Sequence, residues 1–262
     1  MQNFLQTALP TACRAGAEIL KIYRDGFEAK EKADGSAVTE ADEKAEKLIC
    51  EALNASFPDI PVLAEEAASR GEVPTLGERF ILVDPLDGTR EFVNRTAEFT
   101  VNIALIERGR PIAGVVLAPA MATVWYGDGD GAFKQSLDET SCELIGSPTR
   151  IRTRPIPGSD LIAVASRSHR SAETESLLAK LGASDFKPAG SSLKFCLVAE
   201  GQADVYPRLG RTMEWDTGAG QAVLEAAGGR VNELHEMDEG EPLLYGKSAR
   251  GYDNPHFIAW GG

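Results

Sequence analysis

Asp84-Pro85-Leu86-Asp87-Gly88-Thr89 follows directly on Arg79-Phe80-Ile81-Leu82-Val83. The apolar run has the length and composition of a buried strand. Pro85 has no N–H to give to a strand ladder and so ends it. Gly88 permits an unusual backbone turn, and Thr89 opens a helix through Arg90-Glu91-Phe92-Val93. A buried strand, an acidic turn and a helix start in this order suit hard-cation and phosphate chemistry: carboxylate oxygens hold Mg²⁺, and helix N–H groups accept a phosphate. Taken alone, the same hexapeptide also reads as a turn capped by two aspartates, because Asp, Pro and Gly are ordinary turn residues.

Other acids lie at comparable element ends. Ile60-Pro61-Val62-Leu63-Ala64 reads as a short strand with Glu65-Glu66 at its end. Thr39-Glu40-Ala41-Asp42 opens a helix running to about Phe57, with Ala45, Leu48, Ile49 and Leu53 on one face. Thr39 and Asp42 have the spacing of a capping box, so Asp42 is a cap residue or, with a metal site opposite, a carboxylate that orients a water. Glu214-Trp215-Asp216-Thr217-Gly218 precedes a helix over 219–227 closed by Gly228-Gly229, which puts Asp216 at the N-cap.

Outward from these motifs, residues 3–25 have the periodicity of an amphipathic helix, and 28–38 form a polar loop with the character of a lid. Residues 67–79 read as loop. Phe99–Ile106 and Pro111–Ala118 form a hairpin that continues through Val124–Tyr126 and Gly131–Phe133 as an antiparallel meander. The turn Asp128-Gly129-Asp130-Gly131 resembles a calcium loop in composition, but the downstream Glu spacing does not fit. Residues 135–160 show little periodicity and mark a lobe boundary, dividing the chain into 1–145 and 146–262. Beyond it come a strand at 161–165, a helix at 171–182, a helix opened by Gly190-Ser191-Ser192 and running to Glu200, a strand at 203–206, and closing strands at 230–234 and 256–260.

A chain of 262 residues can bury a substantial core in one large domain or two packed lobes. Its 43% hydrophobic and 26% charged content is that of a soluble globular protein. A net charge of −13 with no basic stripe argues against a nucleic-acid polymer as partner. A small phosphorylated substrate stays compatible with it, provided metal ions or a local Arg/Lys cluster offset the charge. Cys13, Cys50, Cys142 and Cys196 are scattered and form no Cys-x-x-Cys pair, as expected of reduced thiols in a cytoplasmic protein. No signal peptide or membrane-spanning run is visible, which leaves peripheral inner-membrane association open.

The segments VTEADEKAEKLI (38–49), LAEE (63–66), DPLDGTREF (84–92) and EWDTGAGQAVLEAAGG (214–229) stand in the order seen in the inositol-monophosphatase-like, lithium-sensitive, Mg²⁺-dependent phosphatases. The resemblance spans roughly residues 10–260. EFTVNIALI (98–106), GSSLKFC (190–196), YPR (206–208) and the WDTGAGQ spelling look most like the 3′(2′),5′-bisphosphate nucleotidase branch. The resemblance implies an α/β (α+β) fold, layered α-β-α-β-α, of two packed lobes with the site between them. It also implies a homodimer as one compatible assembly, two or three Mg²⁺ ions, and hydrolysis of adenosine 3′(2′),5′-bisphosphate to AMP and phosphate, a reaction of sulfur assimilation.

Carried over position by position, Glu65, Asp84, Asp87 and Asp216 correspond to metal ligands, together with the Leu86 carbonyl. Asp42 and Thr89 correspond to the pair that orients the attacking water, and the Gly88 and Thr89 amides to the phosphate cradle. Ser191, Lys194 and Arg208 correspond to nucleotide contacts, with His169 as a further one. Gly218 stands where Ala is usual, and Ala64 where Gly or Ser is usual. None of the implied ligands is His or Cys, which speaks against zinc.

Three rivals remain at this point. A haloacid-dehalogenase-type phosphatase uses Asp-x-Asp-Gly-Thr, whereas here two residues separate the aspartates. The same fold acting on an inositol or sugar phosphate would change only the pocket. A non-catalytic metal- or phosphate-binding module would have no need of the Asp42 and Thr89 pair.

Overall fold

The computed structural model describes residues 2–31, 37–165 and 172–262. In chain order the helices are α1 (Gln2–Asp25), α2 (Glu40–Ser56), α3 (Glu65–Ser69), α4 (Thr89–Val93), α5 (Ala172–Leu181), α6 (Leu193–Ala199) and α7 (Glu214–Ala226). The strands are β1 (Ala29–Glu31), β2 (Ala37–Thr39), β3 (Val62–Ala64), β4 (Arg79–Asp87), β5 (Thr100–Glu107), β6 (Arg110–Ala118), β7 (Thr123–Asp128), β8 (Gly131–Leu137) and β9 (Leu144–Ile151), followed by β10 (Leu161–Ala165), β11 (Ala183–Pro188), β12 (Val205–Arg208), β13 (Arg230–His235), β14 (Asp238–Pro242) and β15 (Phe257–Trp260). Strands β1 and β2 pair only with each other.

Strands β3 to β9 form a seven-stranded sheet in sequence order, parallel only between β3 and β4. Both of its faces are covered, which is why its central strands are apolar at successive rather than alternate positions. Ile81, Val83, Ile103, Leu105, Val115 and Leu117 pack toward α1 and α2. Phe80, Leu82, Ala104, Ile106, Val116 and Ala118 belong to the core shared with α6, α7 and the second sheet. That second sheet has six strands in the order β11-β10-β12-β15-β13-β14. Its outer face packs on α5 through Leu161, Ala163, Val205, Leu177 and Leu178. Three cores between five layers give the α-β-α-β-α sandwich expected from the sequence.

Helix α7 approaches the first sheet and α6 closely where small residues meet. A Cβ on Gly114 of β6 would meet the Ala219 carbonyl at 2.6 Å, and one on Gly220 would meet the Phe195 ring of α6 at 2.4 Å. Backbone therefore lies against backbone and ring at both contacts. The last strand, β15, lies inside the second sheet, antiparallel to β12 and β13 on either side.

Three readings of the sequence are corrected. The lobe boundary drawn at 145/146 cuts through β9, which pairs with β8 in the first sheet, so the change of sheet falls after Ile151. Strand β9 is exposed at every residue except Ile151 and so carries no apolar alternation. The second half of the chain also contributes α7 to the core beneath the first sheet, so sequence halves and packing units do not coincide. Asp216 is the third residue of α7 rather than its N-cap, because the helix begins at Glu214. Strands β11 and β14 were not foreseen either; both are polar edge strands.

Beyond Ile151 the chain is pinned to the second sheet by an ion pair between a part-exposed arginine and a buried aspartate. Arg154 Nε and Nη2 donate to Asp204 Oδ1 and Oδ2 at 2.7 and 2.6 Å. The Ile162 N–H donates to Asp204 Oδ2 at 2.7 Å. The Asp204 carboxyl is held below its usual range: burial pushes it up, but Arg154 and the Ile162 N–H outweigh that.

Candidate active site

Strand β4 pairs regularly with β5 as far as Asp84, opposite Asn102; it then bulges through Pro85 and Leu86 and rejoins at Asp87, opposite Thr100. The bulge brings both aspartates to one end of the sheet. Asp84 Oδ1 accepts the Leu86 N–H at 3.0 Å, which closes the turn. Gly88 then takes φ 93°, a conformation that strongly favours glycine, and α4 starts at Thr89.

Asp42 reaches this turn from α2. Its Oδ2 accepts from the Thr39 N–H at 2.8 Å and from Thr39 Oγ1 at 2.7 Å, as the capping-box spacing predicts. Its Oδ1 lies 3.3 Å from Thr89 Oγ1, the partner expected of it. Thr89 Oγ1 is equally close to the Leu86 carbonyl, at 3.3 Å. Burial pushes the Asp42 carboxyl up to about 6, with Glu66 adding to the rise and Thr39 opposing it.

Glu65 is the first residue of α3. That helix is held from outside by a buried acid the sequence reading missed: the Glu66 N–H donates to Glu46 Oε2 at 2.6 Å. Glu46 lies one turn beyond Asp42 on α2, and this Asp-x-x-x-Glu spacing on the helix's buried face was the available signal. From the other side, α7 delivers Asp216, whose Oδ2 accepts the Met213 N–H at 2.8 Å. Its neighbour Glu214 turns away to the Gly246 and Lys247 N–H groups, at 2.8 Å each.

Glu65, Asp84, Asp87 and Asp216 thus converge from both halves of the chain. Asp84 and Asp216 are held well above the usual carboxylate range. Burial is the first cause for each; the next is repulsion, from Glu65, Asp87 and Asp216 on Asp84, and from Asp87 and Glu65 on Asp216. Among the described residues, no three Asp, Glu, His or Cys side chains are already drawn onto a single point. The acids share one field, while protein donors occupy several of their oxygens.

Asp87 shows this best. Its Oδ2 accepts from Ser191 Oγ at 2.5 Å, Ser192 Oγ at 3.2 Å and Asn102 Nδ2 at 3.5 Å. Ser192 and Asn102 were given no role in the sequence reading, since a Ser before a helix and an Asn within a strand are common.

Next to the acids lies a narrow cleft of about 140 Å³, lined by residues that include Asp87, Gly88, Ser191, Lys194, Arg208 and Asp216. Lys194 is 6% exposed. Its Nζ donates to the Ser191 carbonyl at 2.6 Å and lies 5.5 Å from the Tyr206 ring centre. Burial lowers its ammonium to about 8; Asp87 opposes this and Arg208 adds to it. Arg208 gives Nη2 to the Arg211 carbonyl at 3.1 Å, while its Nε is buried without a hydrogen-bond partner. His169 lies outside the described residues. A larger hollow of about 750 Å³ between α1 and the β8–β9 turn holds none of these acids.

The inositol monophosphatase family model matches residues 1–255. The chain belongs to the inositol monophosphatase family. Within that family it is similar to the 3′(2′),5′-bisphosphate nucleotidase CysQ of Escherichia coli K12, at 45% identity over 238 residues, covering 89% of this chain and 90% of the relative. The CysQ nucleotidase of Haemophilus influenzae is 35% identical and covers 99% of this chain and 93% of its own length. Among solved structures, CysQ from Bacteroides thetaiotaomicron superposes with a TM-score of 0.80 at 39% identity, covering 100% of this chain and 98% of that one. The inositol monophosphatase of Thermotoga maritima, at 23% identity and a TM-score of 0.75, shares the fold.

Proposed function

We propose that the chain is a Mg²⁺-dependent 3′(2′),5′-bisphosphate nucleotidase, which removes the 3′- or 2′-phosphate of an adenosine bisphosphate to leave AMP and inorganic phosphate. The observation that carries the substrate class is the pairing of two cations, Lys194 and Arg208, with the acid cluster in one cleft. A monoester of a neutral sugar or inositol has no second phosphate for them. Arg208 offers a buried, unpartnered N–H, and Lys194 a charge that burial disfavours until an anion arrives.

The donor set fits a hard divalent cation. Glu65, Asp84, Asp87, Asp216 and the Leu86 carbonyl are all oxygen donors, and the mutual repulsion that raises Asp84 and Asp216 is what a cation relieves. When bound, such ions supply an acidified water and neutralise charge on the leaving oxygen. Thr89 Oγ1, with its hydrogen directed at Asp42 Oδ1, turns a lone pair toward the attacking water. Asp42, ionised above about pH 6, holds Thr89 in that orientation and accepts the Thr89 proton as Thr89 Oγ1 takes one from the water. The Gly88 and Thr89 N–H groups at the start of α4 hold the transferred phosphate. Ser191, which lines the same cleft, contacts the nucleotide.

The four thiols are unpaired, which supports action in the cytoplasm. No helix among the described residues is long and apolar enough to cross a membrane. The test is phosphate release in Mg²⁺ from adenosine 3′,5′-bisphosphate and inositol 1-phosphate, measured side by side. A strong preference for the nucleotide is expected. The opposite preference would keep the acid cluster and discard the roles given to Lys194 and Arg208.

A further inference from the structure

We infer that Ser192 is a positioning residue that fastens two of the site's acids to each other across the sandwich and thereby sets the affinity of the acid cluster for divalent cations. The inference rests on the reading of that cluster as the cation site.

Ser192 is 1% exposed, at the turn into α6. Its Oγ lies 2.8 Å from the Asp216 carbonyl oxygen, 3.2 Å from Asp87 Oδ2 and 3.0 Å from Asn102 Nδ2. A hydroxyl has one hydrogen and two lone pairs. The Asn102 amide fills a lone pair, so the single hydrogen is shared between the Asp216 carbonyl and the Asp87 carboxylate. The other Asn102 N–H is directed to the same Asp87 oxygen, at 3.5 Å. Thr100 Oγ1, 3.2 Å from Asn102 Oδ1, fixes which way the amide faces. One oxygen atom therefore joins β5, the acidic turn after β4 and the first turn of α7.

Packing of α7 on the first sheet sets the helix in place, and the Ser192 hydroxyl adds a direct link from the Asp216 backbone carbonyl to the Asp87 carboxylate. Ser191 differs: it bonds the same Asp87 oxygen but lines the cleft, where a ligand reaches it. Without the Ser192 hydroxyl, Asp216 and Asp87 would lose their common tether and repel each other into a wider spread, which a cation must reverse as it binds. Donors that orient the ligands of a metal typically account for ~10–100-fold in affinity.

The test is calorimetric titration of Mg²⁺ into chelator-stripped protein, comparing wild type, Ser192→Ala, Ser192→Thr and Asn102→Ala, with thermal melts in EDTA. Ser192→Ala and Asn102→Ala are expected to weaken Mg²⁺ binding about tenfold or more. Ser192→Thr, which keeps the hydroxyl, is expected to recover most of the loss, and the substrate KM at saturating Mg²⁺ is expected to move far less than the Mg²⁺ affinity. A folded Ser192→Ala protein with wild-type Mg²⁺ affinity overturns the inference. A lower melting temperature with unchanged affinity also overturns it, since that is the signature of a merely structural contact. If Ser192→Ala does not fold, Asn102→Ala decides by the same criterion. Wild-type protein that takes up no Mg²⁺ overturns the cation-site reading itself, and so is told apart from failure of the Ser192 role.

Discussion

Replacing Lys194 with Met is expected to make the ligand-free protein more stable while impairing its use of the bisphosphate. The ammonium is 6% exposed, and burial lowers it from 10.5 to about 8. At about 1.4 kcal/mol per pH unit, keeping that charge inside the fold costs about 3 kcal/mol. Met fills similar space without charge but leaves the Ser191 carbonyl without the donor it has at 2.6 Å, a loss of about 1 kcal/mol. The net expectation is a gain of about 2 kcal/mol at pH 7, or roughly 0.5–1 M in the urea midpoint. The folded-state value lies below the unfolded one, so the cost is fully present below pH 8, shrinks as pH rises from 8 to 10.5, and vanishes above that. The advantage of the variant should therefore shrink in alkaline urea titrations. Its KM for the bisphosphate should rise ~10–100-fold, the worth of a charge-assisted contact. Lower stability at pH 7, or a difference indifferent to pH between 8 and 10.5, would refute the reasoning.

Further expectations are open to equally direct measurement. Asp42→Asn should lower kcat by ~10²–10⁴ with circular dichroism unchanged, and wild-type kcat should fall as pH drops through about 6, where Asp42 takes up a proton. Asp84→Asn should raise the melting temperature of chelator-treated protein, because one of the repelling buried acids is neutralised, and should abolish the further rise that Mg²⁺ gives wild type. Arg154→Met should cost about 1–3 kcal/mol in urea unfolding, since it removes two charge-assisted hydrogen bonds and leaves Asp204 only the Ile162 N–H. Because Asp204 sits below its usual range, the contribution of that pair is present above the unfolded carboxylate value and is lost as pH falls through the folded one. Gly220→Ala drives a methyl into the Phe195 ring and should cost ~1–3 kcal/mol or more, read by the same assay.

What could be read from the sequence was whatever is local. The capping box at Thr39 and Asp42 and the strand-turn-helix at Asp84 are short-range patterns, and the structure has both. The layered fold was legible only through the family resemblance that the four ordered motifs carry. Contacts made by one atom across layers were not legible: Ser192 touches Asp87, 105 residues away, and Asn102, 90 residues away, and neither neighbour is visible along the chain. Glu46 was missed because a buried acid on a helix face looks like an exposed one until α3 is seen to start against it. Strands β9, β11 and β14 were missed because edge strands bury little and so carry no period.

The position of β15 has a consequence for how firmly the cleft is held. Phe257–Trp260 supplies hydrogen-bond partners to β12 on one side and to β13 on the other. Without those four residues, β12 and β13 would face each other across a gap one strand wide. Arg208 ends β12, and Lys194 lies beneath Tyr206 of the same strand. The strand that carries Arg208 is thus held on one side by Phe257–Trp260, so loosening that segment is expected to disturb the basic wall of the cleft before it disturbs Asp84 and Asp87, which lie in the other sheet.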